Sequence, residues 1–353
     1  MFHGTYTALI TPCTTEGQLD AAGLEALIEF QIEQGVSGLV PVGTTGESPT
    51  LRDEERYQIV ERVCEQAAGR AQVLAGAGSN NTAHALDYCR HAAEHGADGA
   101  LLVDPYYNGP SSLEIRREYI APIARELPQL PLVPYLVPAR TGTCLEAEDI
   151  GLLAREFDNI RTVKEASTPT HAARVRRICA AGFSILSGED SLNLELMQRG
   201  DIAANGAISV VANIAPAALQ ALCAHAEAGQ WQEAERIQRQ LAPLCSIVQV
   251  ETSEISPLGP VRCRARNPVP IKTLMHVLGM PAGPCRAPLG RLTLAGLAQV
   301  RQAIRDVLDS DSSILEPIER FFQVDIAARL ADRTLDEFLA YTEYSPFYEE
   351  ATS

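Results

Sequence analysis

A (β/α)8 barrel of the TIM type, followed by a C-terminal helical extension and an acidic tail, is the architecture that this 353-residue sequence predicts. Three observations lead to it. Short apolar runs alternate with amphipathic ones eight times before about residue 230. The apolar runs are nearly continuous rather than alternating, which marks strands of a parallel sheet covered on both faces. No Gly-x-Gly-x-x-Gly follows the first run, which argues against the structural alternative, a doubly wound open sheet.

Strands are expected at 5–12, 38–43, 72–78, 99–105, 131–138, 160–166, 183–188 and 206–210. Each is short, apolar and closed by polar or glycine-containing residues. The amphipathic runs between them include 21–35, 52–69, 82–95, 112–126, 146–156 and 170–181, each long enough for a helix on the barrel exterior. The strands stop after 229, so residues 1–229 read as the barrel and 230–308 as the helical extension. Within it, 230–250, 272–278 and 294–308 look helical, and 253–270, rich in proline and arginine, reads as a long loop. Residues 309–353 form a further tail with 11 acidic and 3 basic residues and 7 of the 19 aromatics. So many aromatics are unusual in a solvated segment, so the tail is expected to dock on its own barrel or on a neighbouring subunit, with partial disorder as the alternative.

The net charge of −16 argues against a nucleic-acid partner. No apolar run reaches the roughly 18 residues of a membrane span, and no charged and apolar leader is visible at the start. The nine cysteines are scattered without a Cys-x-x-Cys pair, the pattern of reduced thiols rather than of disulfides or a zinc site. A cytoplasmic location follows as the expectation. Among 29 basic residues only two are lysines, Lys164 and Lys272, so any chemistry that needs a side-chain primary amine has two candidates.

Polar clusters collect where the strands end: Gly43-Thr44-Thr45-Gly46-Glu47, Asp104 to Asn108, Tyr135 to Gly142, Lys164-Glu165-Ala166, Ser187-Gly188-Glu189-Asp190 and Ser209. In a barrel of this kind all strand C-termini open on one face, so the clusters converge on one mouth. Lys164 closes the run Ile160-Arg161-Thr162-Val163, which places its stem inside the barrel wall. A buried ammonium is costly unless paired, and a neutral amine in a confined pocket is the nucleophile with which carbonyl substrates form imines. The alternative is a structural ion pair with an inward acid. Lys272 lies outside the eight-unit pattern and reads as structural or subunit-facing. Tyr135, on the preceding strand, could exchange protons with a carbinolamine, and the hydroxyls of Tyr107 and Thr45 could link it to solvent. The planar fork of Arg140 suits a substrate carboxylate. His91-Ala92-Ala93-Glu94-His95 fits His-x-x-Glu-His but falls on an outer helix away from the strand ends. No metal site is expected.

Gly43-Thr44-Thr45-Gly46-Glu47, Tyr106-Tyr107-Asn108, Tyr135 with Pro138-x-Arg140-Thr141-Gly142, Lys164-Glu165-Ala166, Gly206-x-Ile208-Ser209 and Asn267-Pro268-Val269-Pro270 together resemble the dihydrodipicolinate synthase/N-acetylneuraminate lyase family of class I aldolases. The similarity runs from Phe2 to about Leu308. The resemblance implies the same barrel, assembled as a homo-oligomer, usually a dimer of tight dimers. It implies that Lys164 forms a Schiff base with pyruvate and that Tyr135 is the general acid/base. Thr45 and Tyr107 would complete a proton relay, with Tyr107 reaching across the tight dimer into its partner's site. Thr44 and Thr45 would hold the pyruvate carboxylate, Ile208 would supply a main-chain carbonyl, and Gly188 would border the substrate. Arg140 would grip the carboxylate of an incoming aldehyde, a feature that resembles the synthases condensing pyruvate with L-aspartate 4-semialdehyde. No cofactor is implied, because the imine itself is the electron sink.

The sequence departs from those synthases in places. Leu136 follows Tyr135 where asparagine is usual, the 252–266 segment is longer, and the tail is extra. Ser48, Asn80 and Tyr106 match the effector pocket of lysine-inhibited relatives, but His84 replaces an expected glutamate, and Asp53 and Arg56 also differ. Lysine inhibition is therefore expected to be weak or absent. Two other readings stand beside the synthase: a pyruvate aldolase for another aldehyde or 2-oxo acid, and a catalytically silent scaffold.

Overall fold

A computed structural model describes residues 1–179 and 182–342. Eight parallel strands, β1 (Gly4–Ala8), β2 (Gly38–Val40), β3 (Gln72–Gly76), β4 (Gly99–Val103), β5 (Leu132–Leu136), β6 (Thr162–Glu165), β7 (Ser184–Ser187) and β8 (Gly206–Ser209), close into a barrel through the β1–β8 pairing. Helices follow them in turn: α1 (Ala21–Glu33), α2 (Asp53–Ala67), α3 (Thr82–Glu94), α4 (112–126), α5 (Ala147–Glu156), α6 (Pro169–Cys179), α7 (Asn193–Gln198) and α8 (Pro216–Glu227). The barrel is that expected from the continuous apolar runs. The observed strands are shorter because each run's last residues leave the sheet to build the mouth.

Alternation along each strand separates two cores. One fills the lumen and includes Tyr6, Leu74, Leu101, Val133, Tyr135, Leu186 and Ile208. Phe2 and Tyr6, packed edge-to-face at 5.8 Å, close its lower end. The other lies between sheet and helices and takes the alternate residues, among them Leu132, Leu136, Val163, Ile185 and Ala207. Tyr135 and Lys164 are direct register partners across β5 and β6.

Beyond the barrel, α9 (Trp231–Ser246) leads into β9 (Gln249–Ser256) and β10 (Gly259–Arg266), an antiparallel hairpin where a loop was expected. Side chains along it alternate between more and less exposed, and Val250, Thr252, Ile255 and Val261 favour extended backbone. The arginines and prolines masked that period of two in the sequence. Next come α10 (Val269–Leu278), β11 (Leu292–Thr293) and α11 (Leu294–Asp311). The described part of the tail contains α12 (Glu316–Phe322), α13 (Ile326–Ala331), a turn at Asp336–Leu339 and β12 (Ala340–Tyr341), which pairs in parallel with β11. Phe321 and Phe322 pack on Phe30 of α1 at 5.3 and 5.2 Å between ring centres. Tyr344, Phe347 and Tyr348, also part of the tail's aromatic set, lie outside the described residues. Among the described residues no helix is long and apolar enough to cross a membrane.

Candidate active site

The two lysines meet opposite environments. Lys272 of α10 is 1% exposed, and its Nζ donates to Glu47 Oε1 at 2.7 Å, the Thr11 carbonyl at 3.0 Å and the Pro284 carbonyl at 2.8 Å. Glu47 is equally buried, and its other carboxylate oxygen accepts from the Arg286 backbone N–H at 2.9 Å. This pair is structural, and it is internal to the chain rather than turned to another subunit. Because Glu47 ends the Thr44-Thr45-Gly46 loop, Lys272 also anchors the loop that carries both threonines.

Lys164 points into the lumen from β6 and is 5% exposed. Among the described residues neither a carboxylate nor a hydrogen-bond acceptor pairs with it. Its Nζ lies 4.0 Å from the centre of the Tyr135 ring, over the aromatic face. Among the described residues no inward acid of the kind a purely structural role needs pairs with it, and Glu165 faces the helix layer. There it accepts from the Ser167 backbone N–H at 2.7 Å and contacts His171 Nδ1 at 2.7 Å. Burial works against a charge on His171, but the hydrogen bond and charge of Glu165 outweigh it and raise the His171 pKa. The pair braces β6 against α6 directly behind Lys164.

Gly188, at the end of β7, borders the lysine stem. A Cβ there would lie 2.9 Å from Lys164 Cε and 2.9 Å from Ala166 Cβ, so only glycine leaves the lysine its channel. Ile208 lines the lumen from β8. Behind it, the buried Asp190 carboxylate binds the Ser209 hydroxyl and the backbone N–H groups of Val210 and Val211 at 2.9 and 3.1 Å, fixing the end of that strand. Burial raises the Asp190 pKa, and these donors oppose the shift.

Thr45 is buried and its Oγ1 accepts from Asn267 Nδ2 at 2.9 Å. The Asn267 carbonyl in turn accepts from Arg140 Nη2 at 3.0 Å. Arg140 is exposed at the mouth, on a single helical turn, Pro138–Thr141, which Gly142 ends at φ 73°. Thr44, Ser48, Val103, Tyr106, Val137 and Arg140 line part of a cavity of about 210 Å³ beside it. Sequence reasoning did not place Asn267 among the site residues, although it opens the Asn-Pro-Val-Pro motif. Its link to Thr45 spans 222 positions, and nothing local announces such a contact.

Tyr107 is the outlier. It is 89% exposed and sits at φ 82°, a left-handed conformation that costs a non-glycine residue about 1–2 kcal/mol. Within one chain it therefore lies in solvent, apart from the buried Lys164 and Tyr135. Leu136 is buried against the helices, so the departure from asparagine beside Tyr135 does not touch the lumen. The set as a whole offers a confined amine, a phenol against it, a chain from Thr45 through Asn267 to Arg140, and a guanidinium at the opening. That combination suits carbonyl capture followed by recognition of an acidic second reactant.

Comparison with known proteins agrees with this chemistry. The family model described as "Dihydrodipicolinate synthetase family" matches residues 1–307. The 4-hydroxy-tetrahydrodipicolinate synthase of Methanocaldococcus jannaschii is 41% identical over 82% of this chain and 93% of its own. That of Methylococcus capsulatus is 39% identical over 86% and 98%. Among solved structures, the synthase of Methylacidiphilum fumariolicum superposes with a TM-score of 0.81 at 33% identity over 90% of this chain and 99% of that one. The chloride-inhibited dihydrodipicolinate synthase of Acinetobacter baumannii complexed with pyruvate gives 0.79 at 35% identity over 87% and 99%.

Proposed function

The chain belongs to the dihydrodipicolinate synthetase family, and we propose that it condenses pyruvate with L-aspartate 4-semialdehyde to give 4-hydroxy-tetrahydrodipicolinate, the step that commits carbon to diaminopimelate and lysine. The observation that carries the site assignment is the buried Lys164 amine, unpaired with any acid among the described residues and set over the Tyr135 ring.

Lys164 attacks the keto carbon of pyruvate, and the resulting carbinolamine loses water to form an imine. Tyr135 donates and recovers the proton in these steps, with Thr45 and a partner subunit's tyrosine at position 107 as relay. Loss of a methyl proton gives the enamine, whose carbon adds to the aldehyde; the new alkoxide takes up a proton. The substrate's amine then displaces Lys164 as the ring closes, returning the free lysine. Thr44 and Thr45 hold the pyruvate carboxylate, the Ile208 carbonyl and Gly188 shape its pocket, and Arg140 grips the carboxylate of the aldehyde. Asn267 positions both Thr45 and Arg140. The exposure and strained backbone of Tyr107 support the assignment to an adjoining subunit's site, and hence a homo-oligomer. Nine cysteines, none of them in a disulfide, fit a reducing cytoplasm.

Borohydride reduction with pyruvate, followed by mass spectrometry, tests the assignment. A pyruvate adduct on Lys164 is expected, and Lys164→Arg should lose both the adduct and activity by orders of magnitude while staying folded. An adduct elsewhere, or none, overturns it. Turnover on aspartate semialdehyde against other aldehydes separates the synthase from a broader aldolase.

A further inference from the structure

The outer face of the α2–α3 pair carries a cluster that the condensation does not use. Glu61 of α2 and His91 and His95 of α3 bring three ligand atoms within 4.8 Å of one another. Both imidazole Nε2 atoms lie 3.4 Å from the same oxygen, Glu61 Oε1. A tetrahedral ion with bonds of about 2.0–2.1 Å holds its ligands about 3.3–3.4 Å apart, so the separation of each imidazole nitrogen from Glu61 is that of a zinc-type site. The third ligand comes from the neighbouring helix and is not Glu94 of the His-x-x-Glu-His motif, whose zinc-protease geometry is therefore not formed.

Orientation of the rings supports the same reading. His95 Nδ1 lies 2.8 Å from the His91 carbonyl, which can only accept, so Nδ1 carries the hydrogen and, in the neutral tautomer, the Nε2 lone pair faces Glu61. Neutral His95 would thus aim a lone pair at a carboxylate oxygen, an arrangement a cation between them relieves. A ring nitrogen tied to a backbone carbonyl is the usual support behind a metal-bound histidine. His91 is held between Tyr57 and His95, with ring centres 4.2 and 4.1 Å away, so its ring is already constrained before any ion arrives. Its Nε2 also lies 3.3 Å from the Tyr57 carbonyl, and ligation through that nitrogen requires the ring hydrogen to sit on Nδ1 instead.

We propose that Glu61, His91 and His95 bind one divalent transition-metal ion of the zinc class, clipping α2 to α3 on the outside of the barrel. Two imidazoles and one carboxylate favour zinc, cobalt or nickel over magnesium or calcium, which prefer all-oxygen shells. A fourth position remains for water.

Calorimetric titration of the chelator-treated full chain with Zn2+ tests this, alongside Glu61→Gln, which keeps side-chain size and the whole His91 stack, and His95→Gln, which keeps the Tyr57–His91 ring contact. One equivalent should bind to the parent and raise its Tm, and each variant should bind at least about tenfold more weakly with the Tm rise reduced. Mg2+ should produce neither effect. With Co2+, the parent should show visible d–d bands without a thiolate charge-transfer band, and pyruvate condensation should be unchanged in both variants without added metal. Binding that both variants retain, a thiolate band marking capture by cysteines, or no saturable binding would each overturn the proposal.

Discussion

Gly188 shows how closely the reactive amine is enclosed. Its missing side chain is the space through which Lys164 passes, and Gly188→Ala would push a methyl group to within 2.9 Å of Cε. A displacement near 1 Å at a reacting group costs roughly 10²-fold in rate. The variant is therefore expected to lose about that much kcat while remaining folded, measured by steady-state turnover and circular dichroism; unchanged kcat would remove the enclosure argument. The residues that match the effector pocket of lysine-inhibited relatives can be judged in equally concrete terms. Arg56 lies 3.9 Å over the Tyr88 ring and donates to the carbonyls of Ser48 and Gly76 at 3.1 and 3.2 Å. A bound lysine would meet this fixed cation, and at position 84 it would find histidine in place of a carboxylate. Rates are expected to be insensitive to micromolar-scale L-lysine, and clear inhibition in that range would contradict the prediction.

The end of β4 holds a second buried acid with its own signature. Asp104 accepts from the Leu145 backbone N–H at 3.1 Å, its other oxygen has no partner among the described residues, and burial pushes its pKa up to about 8, with nearby Glu165 adding to the effect. The folded chain thus holds a proton on Asp104 that the unfolded chain releases near pH 4. Stability from this group is complete below the unfolded pKa and falls as pH rises from about 4 to about 8, by on the order of 1 kcal/mol per pH unit. Asp104→Asn keeps the acceptor for Leu145 without the ionisation. Urea unfolding of the variant should lack that decline and exceed the parent's stability at pH 8–9; parallel pH profiles would refute it. The hairpin of β9 and β10 marks where local reading failed. Its alternation was present in the sequence, but Arg262, Arg264 and the flanking prolines suggested a loop, and only cross-strand pairing distinguishes the two.

The tail and the extension are joined through a buried charge. Arg301 of α11 is 1% exposed and donates to the carbonyls of Leu330 and Asp332, both at 2.9 Å, and to Asp336 Oδ1 at 2.6 Å. All three partners lie beyond residue 308. Removing residues 312–353 would strand that guanidinium, and one-sided loss of a buried ion pair costs about 3–5 kcal/mol. The truncated chain is expected to lose that much in urea unfolding, and Arg301→Met in the same truncated chain should recover part of it. Equal stability of the parent and the truncated chain would show that the tail does not support the fold.

Much of this protein was legible from composition and spacing. Eight apolar runs separated by amphipathic ones required a parallel sheet covered on both sides, and two lysines among 29 basic residues narrowed the amine chemistry to two positions. Alternation within Pro134-Tyr135-Leu136 already implied opposite faces for neighbouring residues, yet which face was the lumen depended on closure of the barrel. Position in the eight-unit pattern already separated Lys164 from Lys272, but only the tertiary structure showed Lys272 paired with Glu47 and Lys164 left with an aromatic face. It alone joined Thr45 to Asn267 and carried Glu61 to His91 and His95. Local propensity follows from a residue and its near neighbours, whereas ion pairing and ligand geometry depend on groups that the chain brings together from tens to hundreds of positions away.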